Sequence, residues 1–290
     1  MGLWQVTAEG PRALIEKAST AFEEGGISQP LSLSMFEAGK TIWTLDLLYA
    51  EEVDLKALRK ALAAIAPELS RLTWHQGPLL EENWVKKSLE GLKPVQAGRF
   101  FVHGAHDAGA VPPGVIPILI EAGEAFGTGH HGTTEGCLAA LSQIARGERP
   151  DRVLDLGTGT GVLGIAAAKL WQARVIASDI DPIAVRVAQE NVCANGVQSL
   201  VRTVVATGTT NPQVHEDAPY DLIIANILAR PLRQLAGDVA QCLAPGGVLI
   251  LSGILKDQAA RVAAVYASHH MPLQERLTYG EWVTLICRKA

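Results

Sequence analysis

Beyond residue 150 the chain alternates between two hydrophobic rhythms. Short, almost continuous apolar runs, such as Val153-Leu154 before Asp155 and Leu222-Ile223-Ile224-Ala225 before Asn226, recur between longer amphipathic stretches. The first rhythm is that of strands buried on both faces, the second that of helices. Strands are predicted at Arg152 to Leu156, Arg174 to Ser178, Leu200 to Ala206, Asp221 to Asn226 and Val248 to Ser252. Helices are predicted at Val162 to Leu170, Pro182 to Asn195 and Pro231 to Leu243. Pro182 suits a first helical turn and Asn195-Gly196 a helix stop. This order predicts an α/β domain with a doubly wound parallel sheet. Its end departs from the alternation: Leu273 to Thr278 and Trp282 to Arg288, joined around Gly280, predict a hairpin that closes the sheet with an antiparallel strand.

The first eighty residues follow a different order. A strand around Leu3 to Ala8 precedes an amphipathic helix from Pro11 to Glu24, which Gly25-Gly26 stops. Strands Leu31 to Glu37 and Thr41 to Tyr49 form a hairpin through Ala38-Gly39-Lys40. A helix from Asp54 to Ala66 follows, with Asp54 as its N-cap and Pro67 as its terminator, and then a strand from Arg71 to His75. The order βαββαβ predicts a small ferredoxin-like α+β domain over residues 1–75. From 76 to 125 regularity fades: Pro78, Pro94, Pro112, Pro113 and Pro117 mark a connector. Trp84, Phe100 and Phe101 are too apolar for a free linker, so parts of it are expected to pack on the larger domain, 126–290.

Charge narrows the partners. The chain has 290 residues, 25 basic and 30 acidic, for a net charge of −5; residues 1–95 hold 10 basic against 13 acidic. Neither half carries the basic excess of a protein that grips phosphate backbones, so no direct nucleic-acid contact is expected. Cys137, Cys193, Cys242 and Cys287 are widely spaced and read as buried small hydrophobes in a reducing compartment. No apolar run approaches a bilayer's width and the first residues lack a signal-peptide core. A cytoplasmic protein, monomeric by default and with no membrane partner, is expected.

The chemistry centres on Val153-Leu154-Asp155-Leu156-Gly157-Thr158-Gly159-Thr160-Gly161, followed by Ile176-Ala177-Ser178-Asp179-Ile180-Asp181. A strand runs into a loop with glycine at every second position, a helix follows, and the next strand ends on a carboxylate able to accept both hydroxyls of a ribose. Gly159-x-Gly161-x-x-Gly164 matches the dinucleotide fingerprint. Asp155 argues against it, because a negative charge there repels a pyrophosphate and suits a ligand bearing an ammonium group. S-adenosylmethionine (SAM) is such a ligand, with NAD the competing reading. In open α/β sheets ligands bind beyond the carboxyl ends of the strands, which places Asn226 where a reacting group is held. Its segment, Asn226-Ile227-Leu228-Ala229, is similar to the Asn-Pro-Pro-Tyr motif of amine and amide N-methyltransferases, without the prolines and the aromatic. The bland alternative is an Asn that caps the next turn. Ahead of the first strand, Phe126-Gly127-Thr128-Gly129-His130-His131-Gly132-Thr133-Thr134 opens a helix. Adjacent histidines point apart and no carboxylate or thiol lies at ligand spacing, so no metal is expected there.

Together these residues resemble the PrmA family of bacterial methyltransferases, which modify protein L11 of the large ribosomal subunit. The resemblance covers most of the chain: the N-terminal module, Asn83-Trp84 through Pro94 and Gly98, the FGTG loop, the glycine loop, the Asn-Ile-Leu-Ala segment and Glu281-Trp282. His130 and Gly132 stand where the commoner loop has Thr and Pro. The resemblance implies a Rossmann-like class I SAM-dependent methyltransferase domain. Asp179 would bind the ribose, Gly157 and its neighbours the methionine part, and Thr134 would help close the loop over the cofactor, with Asn226 lining the pocket. It further implies a protein-lysine N-methyltransferase that methylates lysine side chains and the N-terminal amine up to trimethylated nitrogen, with residues 1–75 recognising the protein substrate. An RNA or small-molecule amine methyltransferase is the alternative enzyme, and a SAM-binding regulatory module the alternative of another class.

Overall fold

The alternation after Arg152 folds into one seven-stranded sheet, seen in a computed structural model that describes residues 4–23, 27, 29–37, 42–78, 94–120 and 131–290. The hairpin at Ala38-Gly39-Lys40, the stop at Gly25-Gly26, Asn83-Trp84 and the loop from Phe126 to His130 lie outside the described residues. The chain divides into two compact units, one N-terminal and one holding the large sheet.

In the N-terminal unit, β1 (Trp4–Gly10), α1 (Arg12–Glu23), β2 (Ser32–Glu37), β3 (Trp43–Tyr49), α2 (Leu55–Ile65) and β4 (Thr73–Pro78) follow the predicted order. The strands form an antiparallel sheet in the order β2-β3-β1-β4. Alternate residues Val6, Ala8, Leu45 and Leu47 are fully buried, as are Ile15 and Ala18 of α1. This is the period-two pattern of a sheet with one covered face. Asp54 caps α2 as predicted: its Oδ1 accepts from the Lys56 and Ala57 backbone N–H groups at 2.9 and 3.1 Å. A 3-10 turn from Pro67 to Arg71 then leads into β4.

In the second unit, β8 (Arg152–Leu156), β9 (Arg174–Asp179), β10 (Val201–Val205), β11 (Tyr220–Asn226) and β12 (Leu243–Leu255) are parallel, and β13 (Leu273–Tyr279) with β14 (Trp282–Arg288) closes the sheet antiparallel. The order is β10-β9-β8-β11-β12-β14-β13. Strand side chains divide between two apolar layers. Val153, Val175, Leu222, Ile224 and Ile250 pack with α3 (His131–Ile144), α4 (Val162–Trp171) and α5 (Pro182–Ala194). Leu154, Ile176, Ile223 and Leu249 pack with α6 (Pro212–Glu216), α7 (Ala229–Cys242) and α8 (Ala259–Ser268). Helix α7 starts two residues before the predicted Pro231; proline is tolerated there because the first-turn N–H groups have no intrahelical partner.

Residues read as a connector hold more order than their prolines suggest. β5 (Val95–Ala97), β6 (Phe100–His103) and β7 (Ile116–Leu119) form a second, three-stranded sheet. Its Phe100 and Ile118 are fully buried within the core layer of α3 and α4. Three polar attachments hold it there. Ser142 of α3 accepts from the Arg99 N–H, Lys169 of α4 donates to the Pro117 carbonyl, and Asn195 at the end of α5 makes a reciprocal pair with the Leu119 backbone. Gly98 is required: its φ is +56°, and a Cβ would lie 2.1 Å from Ser142 Oγ. Phe100→Ala is expected to destabilise the second unit by about 3–5 kcal/mol, read by urea unfolding. A loss near zero would show that this sheet is peripheral to the core.

Candidate functional site at the carboxyl ends of the sheet

Strand order reverses between β8 and β11, since β9 and β10 extend to one side and β12 to the other. Such a switch point opens a crevice beyond the carboxyl ends of the strands. Leu156 lies opposite Ser178 on one side and Ala225 on the other, and Asn226 lies opposite Ser252. The glycine loop, Asp179 and Asn226, spread over residues 157–226, therefore share one edge.

The loop is built by backbone geometry that only glycine adopts readily. Gly157, Gly159 and Gly161 have φ of +72°, +55° and +83°. The Gly157 and Thr158 N–H groups donate to the Ser178 carbonyl at 2.8 and 2.9 Å, tying the loop to β9. Asp179 completes the tie, with Oδ2 accepting from Gly159 N–H at 2.9 Å and Oδ1 from Asp181 N–H at 3.1 Å. Each carboxylate oxygen has a second lone pair, so the pair stays competent to accept hydroxyl donors. Gly157 also makes room for a neighbour, because a Cβ would lie 2.3 Å from Ile227 Cγ2.

Asp155 supports the loop from beneath. It is 1% exposed, and its Oδ2 accepts from Thr158 Oγ1 at 2.5 Å and from Gly164 N–H at 2.8 Å. Burial pushes its carboxyl up to about 6, against the pull of those two hydrogen bonds and with the Asp179 charge adding to the rise. The sequence reading assigned this charge to a ligand's ammonium group. The geometry adds bracing of the loop and of the first turn of α4.

Asn226 Oδ1 is buried and, among the described residues, has no hydrogen-bond partner. Ser178 Oγ and Thr160 Oγ1, on the same edge, share that condition. An unmet buried acceptor costs about 1–3 kcal/mol, and each such group calls for an explanation, of which a role in chemistry is one. Thr133 and Thr134, in the first turn of α3, are buried. That turn packs against the closing hairpin: a Cβ on Gly132 would lie 3.0 Å from Trp282 Cδ1, and one on Gly136 2.2 Å from Thr284 Oγ1. Glycine at 132, the departure from the commoner proline, thus fits a close approach. Cys137, one turn on, is fully buried and its thiol is pushed up to about 12 by desolvation, so it stays protonated at neutral pH. Cys193 departs from the reading of buried cysteines and is exposed.

Two residues of this edge escaped sequence reasoning. Ile180 is 65% exposed and Val205 is 46% exposed. Ile180 follows Asp179 directly, and Val205 pairs with Asp179 in register. They offer apolar surface beside the carboxylate, as a planar base attached to a ribose requires. The one available signal was an isoleucine between two aspartates just where the strand leaves the core. Loop donors, a carboxylate, flanking apolar surface and an unmet amide oxygen together suit a nucleoside-bearing ligand and a nitrogen nucleophile.

A family model described as ribosomal protein L11 methyltransferase (PrmA) matches residues 8–290. The ribosomal protein L11 methyltransferase of Rhodopseudomonas palustris is 43% identical over 278 residues, covering 96% of this chain and 93% of its own. That of Bradyrhizobium diazoefficiens is 45% identical over 278 residues, with the same coverage of 96% and 93%. Among solved structures, the ribosomal protein L11 methylase of Lactobacillus delbrueckii subsp. bulgaricus matches with a TM-score of 0.61 and 27% identity, over 69% of this chain and 100% of that one.

The buried charge of Asp155 sets a pH dependence. A carboxyl raised in the folded state destabilises the fold at pH above about 6, and this cost fades as pH falls toward its ordinary value of 3.8. Asp155→Asn keeps an acceptor for both donors and removes the charge. In the unliganded protein it is expected to gain about 2 kcal/mol at pH 7.5 and distinctly less at pH 5, by urea unfolding. Equal gains at both pH values would contradict the assignment.

Proposed function

The chain belongs to the ribosomal protein L11 methyltransferase family, PrmA, and from that premise we propose that it transfers methyl groups from SAM to amines of ribosomal protein L11. The acceptors are lysine side chains and the N-terminal amine, methylated in succession to trimethylated nitrogen. The observation that carries this reading is the buried Asn226 Oδ1 at the end of β11, beside the glycine loop and without a hydrogen-bond partner among the described residues.

The residues present fit the cofactor. Asp179 holds the ribose hydroxyls, with Ile180 and Val205 supplying apolar surface for the base. Gly157, Gly159 and Gly161 admit the methionine part close to the backbone. Asp155 supplies negative charge for its ammonium group, and Thr134 helps close the site. When bound, SAM supplies a methyl group on a positively charged sulfur, already activated for transfer. The protein's task is then orientation more than acid–base chemistry. A lysine with its reference pKa of about 10.4 enters protonated, and the apolar side chains of Ile227 and Leu228 favour the neutral form by desolvation. Asn226 Oδ1 accepts an amine N–H and so fixes the direction of the nitrogen lone pair.

Residues 1–75 are the substrate-recognition domain in this reading, and the protein acts as a cytoplasmic monomer without direct nucleic-acid contacts. Among the described residues no helix is long and apolar enough to cross a membrane.

Two measurements test the proposal. Removing both ribose acceptors in Asp179→Ala is expected to weaken SAM binding by about a hundredfold, by calorimetry, and unchanged affinity would refute the ribose role. Intact-mass spectrometry of ribosomal protein L11 incubated with this protein and SAM is expected to show successive methyl increments, which Asn226→Ala abolishes or sharply slows. No increment from the parent protein despite SAM binding would move the substrate to RNA or other amines.

A further inference from the structure

Three buried hydroxyl-bearing residues connect the start of α3 with β12 and β14 of the second unit. Ser252 at the end of β12 donates from Oγ to the Thr133 carbonyl at 3.2 Å and lies 3.0 Å from Thr284 Oγ1 of β14. Ser252 has one hydroxyl proton, so donation to Thr133 makes Thr284 the donor to Ser252. The chain therefore runs Thr284 to Ser252 to the carbonyl of Thr133. All three residues are at most 1% exposed. The absence of a Cβ on Gly136 lets α3 approach, since one there would lie 2.2 Å from Thr284 Oγ1.

The next residue on β12 reaches the other wall of the site. Gly253 has φ of +79°, and a Cβ there would lie 2.3 Å from the Ile227 carbonyl oxygen. Ile227 in turn fills the space left by Gly157 in the cofactor loop. Ser252 and Gly253 thus touch both the α3 turn bearing Thr133 and Thr134 and the segment bearing Asn226. Hydroxyls in such a seam are a poor source of stability, because replacing both members of a buried hydrogen-bonded pair by apolar groups of the same shape is nearly neutral. What they supply is direction: a hydrogen bond fixes the register of α3 where apolar contact allows it to slide.

We propose that Ser252, oriented by Thr284, is a positioning residue for the cofactor site, acting through the first turn of α3 to hold Thr134 in place relative to Asn226. This rests on the reading that SAM binds at this edge.

The test compares Ser252→Ala, Thr284→Val and Thr284→Ser in the full chain. The measurements are SAM Kd by calorimetry, KM for SAM and kcat with ribosomal protein L11, and thermal melting. Losing one net hydrogen bond in the seam is expected to raise Kd and KM for SAM about three- to tenfold in Ser252→Ala and Thr284→Val. Thr284→Ser, which keeps the donor, should return both to the parent values, and kcat should stay within about twofold of the parent throughout. A lower melting temperature with parental Kd and KM would make the seam merely structural and overturn the proposal. Equal defects in Thr284→Val and Thr284→Ser would overturn it too, and this pair decides the matter if Ser252→Ala fails to fold. Absence of SAM binding by the parent protein would instead refute the site reading.

Discussion

A carboxylate sealed under a glycine loop is the constraint on which the second unit turns. Glycines at 157, 159 and 161 give the loop its left-handed turns, and that same freedom leaves these three positions without side chains to hold its shape. Asp155 supplies the missing restraint from below, gathering the Thr158 hydroxyl and the Gly164 N–H onto one oxygen. Asp179 does so from the side through Gly159. The two aspartates divide the work by environment. The first is buried and raised toward neutrality, the second only partly buried, with its oxygens turned toward the crevice's own donors. A cationic ligand that stabilises the buried charge also relieves the cost of keeping it, so ligand affinity and loop geometry draw on the same electrostatic strain.

Much of this was legible along the chain because it depends on local pattern. Five parallel strands, the closing hairpin and the Asp54 cap follow from apolar rhythm and from residues whose preferences act within a turn. The glycine loop and Asp179 were legible for a related reason: their positions are set by one strand–helix–strand unit. The sheet of β5 to β7 was not, because its strands are short and three separate helices hold it through Ser142, Lys169 and Asn195. Each of those contacts spans more than forty residues, and a reading based on turn-forming prolines has no access to them. Ile180 and Val205 were missed for the opposite reason. They look like ordinary apolar residues at strand ends, and their exposure is set by neighbours distant in the sequence.

The closing hairpin does more than terminate the sheet. An antiparallel strand next to β12 brings Thr284 beside Ser252, and its tip brings Trp282 and Tyr279 against the start of α3. The first turn of that helix is thereby seated by the last strand of the chain. Glycines at 132 and 136 are the complement of that seating, each lacking the one carbon that would push the helix away.

Ile227 sits against two residues that have no side chain, with its methyl against Gly157 and its carbonyl against Gly253. Three positions far apart in the sequence therefore behave as a single locus. Gly157 cannot gain a carbon while the isoleucine side chain stays, whereas Gly253 cannot gain one whatever side chain residue 227 bears, because the atoms it meets are backbone. Positions 157 and 227 can therefore change only in company, while 253 is held to glycine by the chain's own course.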